Sequence, residues 1–259
     1  MNLTGYMKKD TGTKKLNKQV KTIDVVLIRH AQSQWNAENR FTGWANPPLT
    51  QTGLEEARCA ALLLKDHGYH FDVAYSSRLL RAQQTLDEIL NILSQEKIPQ
   101  FQDWRLNERH YGLLQGVSKT EKAKEVGEHQ VWRWRRGYLD KAEPLPRDNL
   151  THPIYDELYR DIDPALLPNV ENLAETRTRV MQFWQQRIEP LIRLKERILI
   201  SSHGNTLRAL IMGLSRLSVA EVESFEIPTG KPIIYTFNQK AEALHWRYLE
   251  DHRNQIAMF

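Results

Sequence analysis

The chain has 259 residues, which is enough for one large α/β domain or two small ones. Its apolar fraction of 41% and its charged fraction of 26% are ordinary for a soluble globular protein. No apolar run approaches the ~20 residues that a membrane span needs, so we expect no membrane partner. The net charge of +4 favours anionic partners in general but does not by itself indicate nucleic acid, and we expect none.

Residues 1–22 form a polar arm that carries six lysines and one acid, a net charge of +5. The arm lacks the apolar stretch of a secretory signal, and we expect it to be disordered or loosely attached. A solvated tail is favoured over a targeting or nucleic-acid role. We expect residues 23–250 to form the folded domain and residues 251–259 to form a short C-terminal tail.

The chain has one cysteine, Cys59, which excludes an internal disulfide. This cysteine usage fits a reducing compartment, so we expect the protein to be cytoplasmic. Cys59 lies in an apolar helical pattern, which predicts a small core residue.

The first predicted strand is the apolar run Val25–Ile28, which is rich in β-branched residues and ends abruptly in an Arg-His pair. A loop with Gly and Pro as breakers follows over residues 39–48. Thr50 is expected to cap a helix that ends at about Gly68. Phe71–Ser76 is predicted to be the next strand.

A second helix is predicted from about Leu79 to Leu93, because apolar residues there recur at the helical period. Residues 99–103 are predicted to form a short strand, and residues 106–116 have little regular pattern. A capping box at residues 118–121 starts another helix. A glycine interrupts this helix before a further helical stretch over residues 131–137, which is crowded with Trp and Arg.

Residues 143–168 contain five prolines and several acids, which predicts a long surface excursion, either a lid or an insertion. Residues 171–195 are predicted to form a long amphipathic helix with a kink at Pro190. The strongly apolar run 197–202 predicts a second buried strand, and a helix is expected over residues 207–217.

A second capping box lies at residues 218–221. The segments 232–237 and 244–249 are predicted to be the final strands, paired antiparallel. The alternation of strand and helix indicates an α/β fold with a mostly parallel sheet and helices on both faces. The sequence contains no internal repeats.

Two predicted strands show the same pattern. Each is a buried apolar run with a histidine at its carboxyl end, His30 in one case and His203 in the other. Open α/β sheets bind ligands just beyond the carboxyl ends of their strands. Either histidine alone is more simply explained as a satisfied surface imidazole. Two such endings favour a shared site if the strands are neighbours, and a histidine there can attack phosphorus as a nucleophile.

Four arginines lie in loops or near helix starts in ways that favour an anionic ligand. Arg29 ends the first strand, and Arg81 lies in the first turns of the helix that follows Phe71–Ser76. The planar guanidinium suits a phosphate or a carboxylate. For Arg135 and Arg136, an exposed helical face is an equally good explanation.

The segment Glu108–Gly112 combines an acid, a cation, an imidazole and a phenol in a stretch with little regular pattern. Such a loop suits proton transfer, although a polar loop with internal salt bridges is the plainer alternative. There is no metal site with persuasive spacing, no Walker loop and no dinucleotide fingerprint. A phosphoryl site here would therefore use Arg and His to neutralise charge, and we expect no metal.

Several motifs together closely resemble the 2,3-bisphosphoglycerate-dependent phosphoglycerate mutases, within the histidine phosphatase superfamily. The motifs lie at residues 29–36, 39–44, 106–116, 134–137, 203–210 and 227–232, within a match that runs from about Ile23 to Glu250. The resemblance implies a three-layer sandwich with a mostly parallel sheet. It implies an enzyme that interconverts 3-phosphoglycerate and 2-phosphoglycerate, with 2,3-bisphosphoglycerate as the priming phosphoryl donor. It also implies a homo-oligomer, either a dimer or a tetramer.

The resemblance also assigns roles to residues. His30 would be the phosphorylated nucleophile, and Glu108 would be the general acid and base toward the substrate hydroxyl. The phosphoryl oxygens would be held by Arg29, Arg81 and His203. The phosphoglycerate would be bound by Ser33, Asn36, Thr42, Gly43, Arg109, His110, Tyr111, Lys119, Arg135, Arg136, Gly204 and Asn205.

This chain departs from the family at two positions beside the nucleophile, where Ala31 and Gln32 replace Gly and Glu. Ala31 is expected to place a methyl group where glycine allows close backbone approach, and Gln32 removes a carboxylate. The C-terminal tail also looks shortened. Two alternatives therefore stay open: a phosphohydrolase that passes the phosphoryl group to water, and a non-catalytic binding protein that retains the pocket.

Overall fold

The computed structural model describes residues 22–250, so the predictions for residues 1–21 of the basic arm and for the tail at 251–259 lie outside it. The described chain has six strands: β1 (Ile23–Arg29), β2 (Val73–Ser76), β3 (Gln100–Gln102), β4 (Ile198–Ser202), β5 (Pro232–Phe237) and β6 (Ala243–Tyr248). They form one sheet in the order β3-β2-β4-β1-β5-β6. The first four strands run parallel, whereas β5 is antiparallel to both of its neighbours. This sheet confirms the predicted α/β class.

The helices alternate with the strands as predicted. They are α1 (Gln34–Ala37), α2 (Gln51–Asp66), α3 (Leu80–Ile92), α4 (Lys119–Val126), α5 (Glu128–Arg136), α6 (Leu173–Phe183), α7 (Glu189–Leu194), α8 (Gly204–Ser215) and α9 (Val219–Ser224). Residues 143–168 contain two short 3₁₀ turns and otherwise run as an irregular excursion, as their prolines predict. No helix within residues 22–250 is both long and apolar enough to cross a membrane.

Three layers follow from the alternation of side chains along the buried strands. In β1, Val25 and Leu27 pack on one face of the sheet in a core cluster that includes α6 and α8. Val26 and Ile28 pack on the other face against α2 and α3. Because successive residues of a strand point to opposite faces, a continuous apolar run is required when both faces are covered.

Local signals set several of the helix boundaries. The Thr50 hydroxyl accepts a hydrogen bond from the Gly53 N–H at 3.0 Å and begins α2 where predicted. The long predicted helix is interrupted between α6 and α7 by a π-helical turn, Trp184–Ile188, just before Pro190. Proline has no N–H and clashes with the carbonyl of the preceding turn, so the regular ladder cannot continue there. The interruption lies next to the position of the predicted kink.

Two local predictions were wrong. Cys59 is exposed, because the face of α2 that packs on the sheet is formed by Ala57, Ala60 and Leu64. The helix after β4 begins at Gly204, three residues before the predicted start at Leu207. The early start brings the backbone N–H groups of the first turn of α8 to the carboxyl edge of the sheet.

Candidate active site

The carboxyl ends of β1 and β4 meet at one edge of the sheet. The two strands are parallel neighbours, and their register places Arg29 opposite Ser202. The residue that follows in each chain segment is a histidine, and the His30 N–H donates to the Ser202 carbonyl at 2.8 Å. The ring centroids of His30 and His203 are 4.9 Å apart. The structure therefore brings the two predicted imidazoles together.

The His30 imidazole is held neutral with one nitrogen available as a nucleophile. Its Nδ1 lies 2.7 Å from the Ala31 carbonyl oxygen, which can only accept, so Nδ1 carries the proton. Nε2 therefore keeps its lone pair, and the Arg81 Nε–H donates to it at 3.2 Å. Burial lowers the pKa of His30 well below its usual range, and the charges of Arg81 and Arg29 lower it further. Nε2 is unprotonated at neutral pH.

His203 is fully buried and is held by a serine hydroxyl. The Ser77 Oγ lies 2.7 Å from Nε2 of His203 and also accepts a hydrogen bond from the Leu79 N–H at 3.2 Å. Burial, followed by the charges of Arg81 and His30, lowers the pKa of His203 well below its usual range. Its Nδ1 is buried without a hydrogen-bond partner among residues 22–250. If Ser77 donates to Nε2, Nδ1 carries the proton and can donate to a phosphoryl oxygen.

Arg81 connects the nucleophile to the loop that follows α1. It lies in the first turn of α3, it is 1% exposed, and its Nη1 and Nη2 donate to the carbonyls of Ala45 at 2.8 Å and Gly43 at 2.9 Å. Burial lowers the pKa of Arg81 to about 10, so the guanidinium stays charged at neutral pH. A fixed cation beside His30 can stabilise the negative charge on a phosphoryl group that is transferred to or from this residue.

A cavity of about 110 Å³ opens at His30. Seven cationic side chains and two carboxylates line it, and this excess of positive charge favours an anion. The predicted site residues that line the cavity are Arg29, His30, Asn36, Thr42, Gly43, Arg81, Glu108, Tyr111, Lys119, Arg135, Arg136, Gly204 and Asn205.

The buried carboxylate of the cavity, Glu108, lies in the irregular segment between β3 and α4. A buried ion pair holds that segment, because Arg179 of α6 donates to Glu171 at 2.6 and 2.9 Å. The same guanidinium donates to the carbonyls of Arg105 and Asn107 at 2.8 Å and of Glu108 at 3.0 Å. Long-range contacts therefore position this catalytic candidate, since the segment has little regular structure of its own.

The Glu108 carboxylate faces the first turn of α8. Its Oε1 accepts hydrogen bonds from the N–H groups of Arg109 at 2.9 Å and Asn205 at 3.1 Å. The Asn205 side chain donates in turn to the Tyr111 hydroxyl at 3.0 Å. The same cavity contains His30, so a ligand between the two groups would meet a nucleophile and a proton acceptor together.

Three more cations come from α4 and α5. Lys119 is the first residue of α4, and burial, followed by the charges of Arg135 and Arg29, lowers its pKa to about 8. Arg135 and Arg136 lie in the last turn of α5, and the Arg136 side chain is only 17% exposed. Both arginines line the cavity, so the exposed helical face is not their explanation. Burial is also the main cause of the lowered pKa of Arg136.

Two predicted site residues support the cavity from behind without lining it. Ser33 is fully buried and caps α1, where its Oγ accepts from the Asn36 N–H at 3.4 Å. The cap orients Asn36, which does line the cavity. His203 is not among the lining residues, but its ring centroid lies 4.9 Å from that of His30, which does line the cavity.

Arg109 and His110, to which the resemblance assigns ligand binding, are also turned inward and are not among the residues that line the cavity. Both are fully buried. The Arg109 guanidinium lies 5.0 Å over the Tyr111 ring and donates to the Gly137 carbonyl at 3.2 Å. His110 Nδ1 accepts from the Gly112 N–H at 3.0 Å. These contacts make the two residues supports for the wall that carries Tyr111.

Neither of the two departures beside the nucleophile lines the cavity. Ala31 is fully buried in an apolar cluster with Leu49 and Ala57, so its methyl group packs against α2 instead of crowding the ligand. The Gln32 N–H donates to the Glu56 carboxylate at 2.9 Å. The effect of Ala31 and Gln32 on the rate stays a prediction.

Sequence reasoning missed four residues that line the cavity: Arg40, Arg208, Glu226 and Ile227. Arg40 lies inside the motif at residues 39–44, and Arg208 lies inside the motif at residues 203–210, one helical turn after Gly204. Membership of these motifs could have identified both residues as site candidates. The Arg208 Nη1 donates to Asn205 Oδ1 at 2.8 Å. Ile227 begins the motif at residues 227–232, whereas no local signal pointed to Glu226; both residues lie in the segment between α9 and β5.

Together, the fold and the cavity define an α/β enzyme class in which a buried histidine with arginine partners handles phosphoryl groups. Residues 25–249 match the family described as the histidine phosphatase superfamily, branch 1, and the chain belongs to this family. Among residues 22–250, no group of three or more His, Cys, Asp or Glu side chains is placed to hold a metal ion.

Three solved structures share the fold. The chain is similar to the α-ribazole phosphatase from Shigella flexneri at 25% identity and a TM-score of 0.65, over 88% of this chain and 96% of that chain. It is similar to the phosphoglycerate mutase from Bacillus anthracis str. Sterne at 21% identity and a TM-score of 0.63, over 88% and 92%. A mycobacterial glucosyl-3-phosphoglycerate phosphatase matches at 19% identity and a TM-score of 0.63, over 88% and 97%. Phosphatases and a mutase thus occur on this fold.

Proposed function

We propose that this protein interconverts 3-phosphoglycerate and 2-phosphoglycerate through an enzyme phosphorylated on His30, with 2,3-bisphosphoglycerate as the priming donor. The observation that carries the proposal is the joining of His30, Glu108 and a second set of cations in one small cavity. Arg29 and Arg81 beside His30 are enough to hold one phosphoryl group. The additional Lys119, Arg135 and Arg136 suit a second anionic group on the same ligand.

The ligand that fits these requirements is small and has an anion at each end. A volume of about 110 Å³ suits a small ligand such as a three-carbon acid. A phosphoglycerate has a phosphate for the arginines at His30 and a carboxylate for the cations of α4 and α5. Its free hydroxyl would be the group that Glu108 addresses.

In the first step, the phosphoryl group on His30 Nε2 passes to the C2 hydroxyl of 3-phosphoglycerate. The N–P bond breaks, the new O–P bond forms, and Glu108 takes the hydroxyl proton. In-line placement and fixed cations are the main requirements of such a transfer. Arg29 and Arg81 would hold the phosphoryl oxygens without having to reorganise.

In the second step, the bound bisphosphate turns so that its C3 phosphoryl group faces His30. Nε2 attacks phosphorus, the bond to the C3 oxygen breaks, and Glu108 returns its proton to that oxygen. The product is 2-phosphoglycerate, and the enzyme is again phosphorylated. The lowered pKa of His30 favours this attack, because Nε2 accepts a phosphoryl group only when it is unprotonated.

The first alternative is a phosphohydrolase with the same phosphohistidine and with water as the acceptor. The similarity to the α-ribazole phosphatase from Shigella flexneri favours this alternative. A binding protein without catalysis is the second alternative, but the buried pairing of Arg81 with His30 Nε2 gives it no support.

The deciding experiment is a coupled assay on 3-phosphoglycerate, run with and without catalytic amounts of 2,3-bisphosphoglycerate. We expect 2-phosphoglycerate to form, with a rate that rises when the bisphosphate is added. Release of inorganic phosphate without 2-phosphoglycerate would replace the mutase proposal with the phosphohydrolase. Mass spectrometry of the enzyme after exposure to the bisphosphate should detect phosphohistidine in the wild type and none in His30→Ala.

A further inference from the structure

An acid in the cavity already occupies one of the cations proposed to bind the ligand. The Glu226 Oε1 forms an ion pair with the Arg136 Nη2. The Glu226 side chain is 72% exposed, whereas the Arg136 side chain is 17% exposed. The carboxylate therefore reaches from the mouth of the cavity toward a guanidinium that lies deeper.

The backbone around Glu226 is anchored at the same place. The carbonyl of Phe225 accepts from Arg136 Nη1 at 3.3 Å, and the carbonyl of Ile227 accepts from Arg29 Nη1 at 2.6 Å. The Tyr248 hydroxyl donates to the Glu226 carbonyl at 3.1 Å. Three consecutive residues thus contact two cations of the cavity, and the Glu226 side chain is the exposed member that a ligand can displace.

We propose that Glu226 is an internal competitor of the anionic ligand: its carboxylate occupies Arg136 in the free protein, and a bound anion must displace it. The inference rests on the proposed function for its substrate, a phosphoglycerate. Glu226 lowers the affinity for anions in two ways, because the Arg136 ion pair must break and because a negative charge remains beside the bound ligand. The residue therefore determines ligand specificity through charge.

The size of the effect follows from the exposure of the pair. An ion pair with one well-exposed partner contributes little, and the Glu226 side chain is 72% exposed, so removing this pair should tighten anion binding by about two- to fivefold. The repulsion grows with the charge of the ligand. Glu226→Gln should therefore favour 2,3-bisphosphoglycerate more than 3-phosphoglycerate, and it should hold the bisphosphate longer in the cavity.

The test measures the dissociation constant of 3-phosphoglycerate, whose carboxylate is the group proposed to reach Arg136, by calorimetry for the unphosphorylated wild type, Glu226→Gln and a matched control, Glu157→Gln. Glu157 is also an exposed partner of an arginine, Arg160, at 3.4 Å, and it lies outside the cavity lining. We expect about two- to fivefold tighter binding for Glu226→Gln alone. The gain should shrink in high salt, because screening weakens interactions between exposed charges.

Equal affinities of the wild type and Glu226→Gln for 3-phosphoglycerate would overturn the inference, and so would weaker binding by the variant. Because Glu226 is mostly exposed, the variant is expected to fold, and an unchanged melting temperature checks this. In an Arg136→Ala background, Glu226→Gln should give a smaller gain, since the ion pair is already absent. The 3-phosphoglycerate titration measures binding without turnover, so it decides the inference independently of the coupled assay, which decides the mutase proposal.

Discussion

Replacing Arg81 with alanine is expected to lower turnover by about 10³–10⁵-fold, the range for an arginine aligned on phosphoryl transfer. The guanidinium makes three contacts at once: with His30 Nε2 at 3.2 Å, with the Ala45 carbonyl at 2.8 Å and with the Gly43 carbonyl at 2.9 Å. Alanine removes the cation that would stabilise the transferring group and releases the loop that carries Gly43. A loss of 10³-fold corresponds to about 4 kcal/mol of transition-state stabilisation.

Two further variants separate charge from geometry. Arg81→Lys keeps the charge, but a single ammonium cannot reproduce the three directed contacts, so its turnover should fall between those of the wild type and Arg81→Ala. Arg78→Ala is the matched control, because Arg78 lies three residues earlier, pairs with Asp161 and does not line the cavity. We expect Arg78→Ala to lose less than about tenfold in turnover.

The assay follows transfer to 3-phosphoglycerate in a single turnover of enzyme phosphorylated on His30, and circular dichroism verifies the fold. If folded Arg81→Ala keeps more than about a tenth of the wild-type rate, the guanidinium does not stabilise the transferring group, and the role assigned to it is wrong. An equal loss in Arg78→Ala would point instead to a general disturbance of the first turn of α3.

Three other predictions concern separate parts of the structure. Glu108→Gln should lower the mutase rate by about 10²–10⁴-fold with little change in melting temperature, because an amide oxygen can still accept the Asn205 N–H but cannot transfer the proton. Burial lowers the pKa of His110 from 6.5 to about 3, so below pH 6.5 the unfolded chain binds a proton that the folded chain does not. The free energy of unfolding should therefore fall with decreasing pH in that window, by up to about 1.4 kcal/mol per pH unit. The change in melting temperature between about pH 7.5 and about pH 5 should be smaller in His110→Asn, and an unchanged difference would contradict the pKa assignment. Ala31→Gly should cost about 1 kcal/mol in denaturant unfolding through the lost methyl packing, and a large gain in turnover would show that the methyl group does obstruct the site.

The sequence predicted the elements of the fold well where the signal was local. Apolar runs indicated the buried strands, a threonine marked the start of α2, and Pro190 marked the break between α6 and α7. Each of these signals depends on residues within about one helical turn of one another. Cys59 was misplaced because a helical period alone does not show which side of α2 faces the sheet.

The motifs also identified most of the cavity lining, but motif membership cannot distinguish a residue that lines a cavity from one that supports its wall. Arg109 and His110 belong to the same segment as Glu108 and Tyr111, and only packing turns them inward. The orientation of that irregular segment is set by Arg179, which is 71 positions from Glu108 in the sequence.

By itself, the sequence determined the α/β class, the order of the elements and the two strands that end in histidine, because apolar periodicity and capping act over short distances along the chain. Only the tertiary structure decided that those strands are neighbours, that Arg179 holds the Glu108 segment, and that Glu226 meets Arg136 across 90 residues. Such contacts depend on strand register and packing, and no local pattern specifies them.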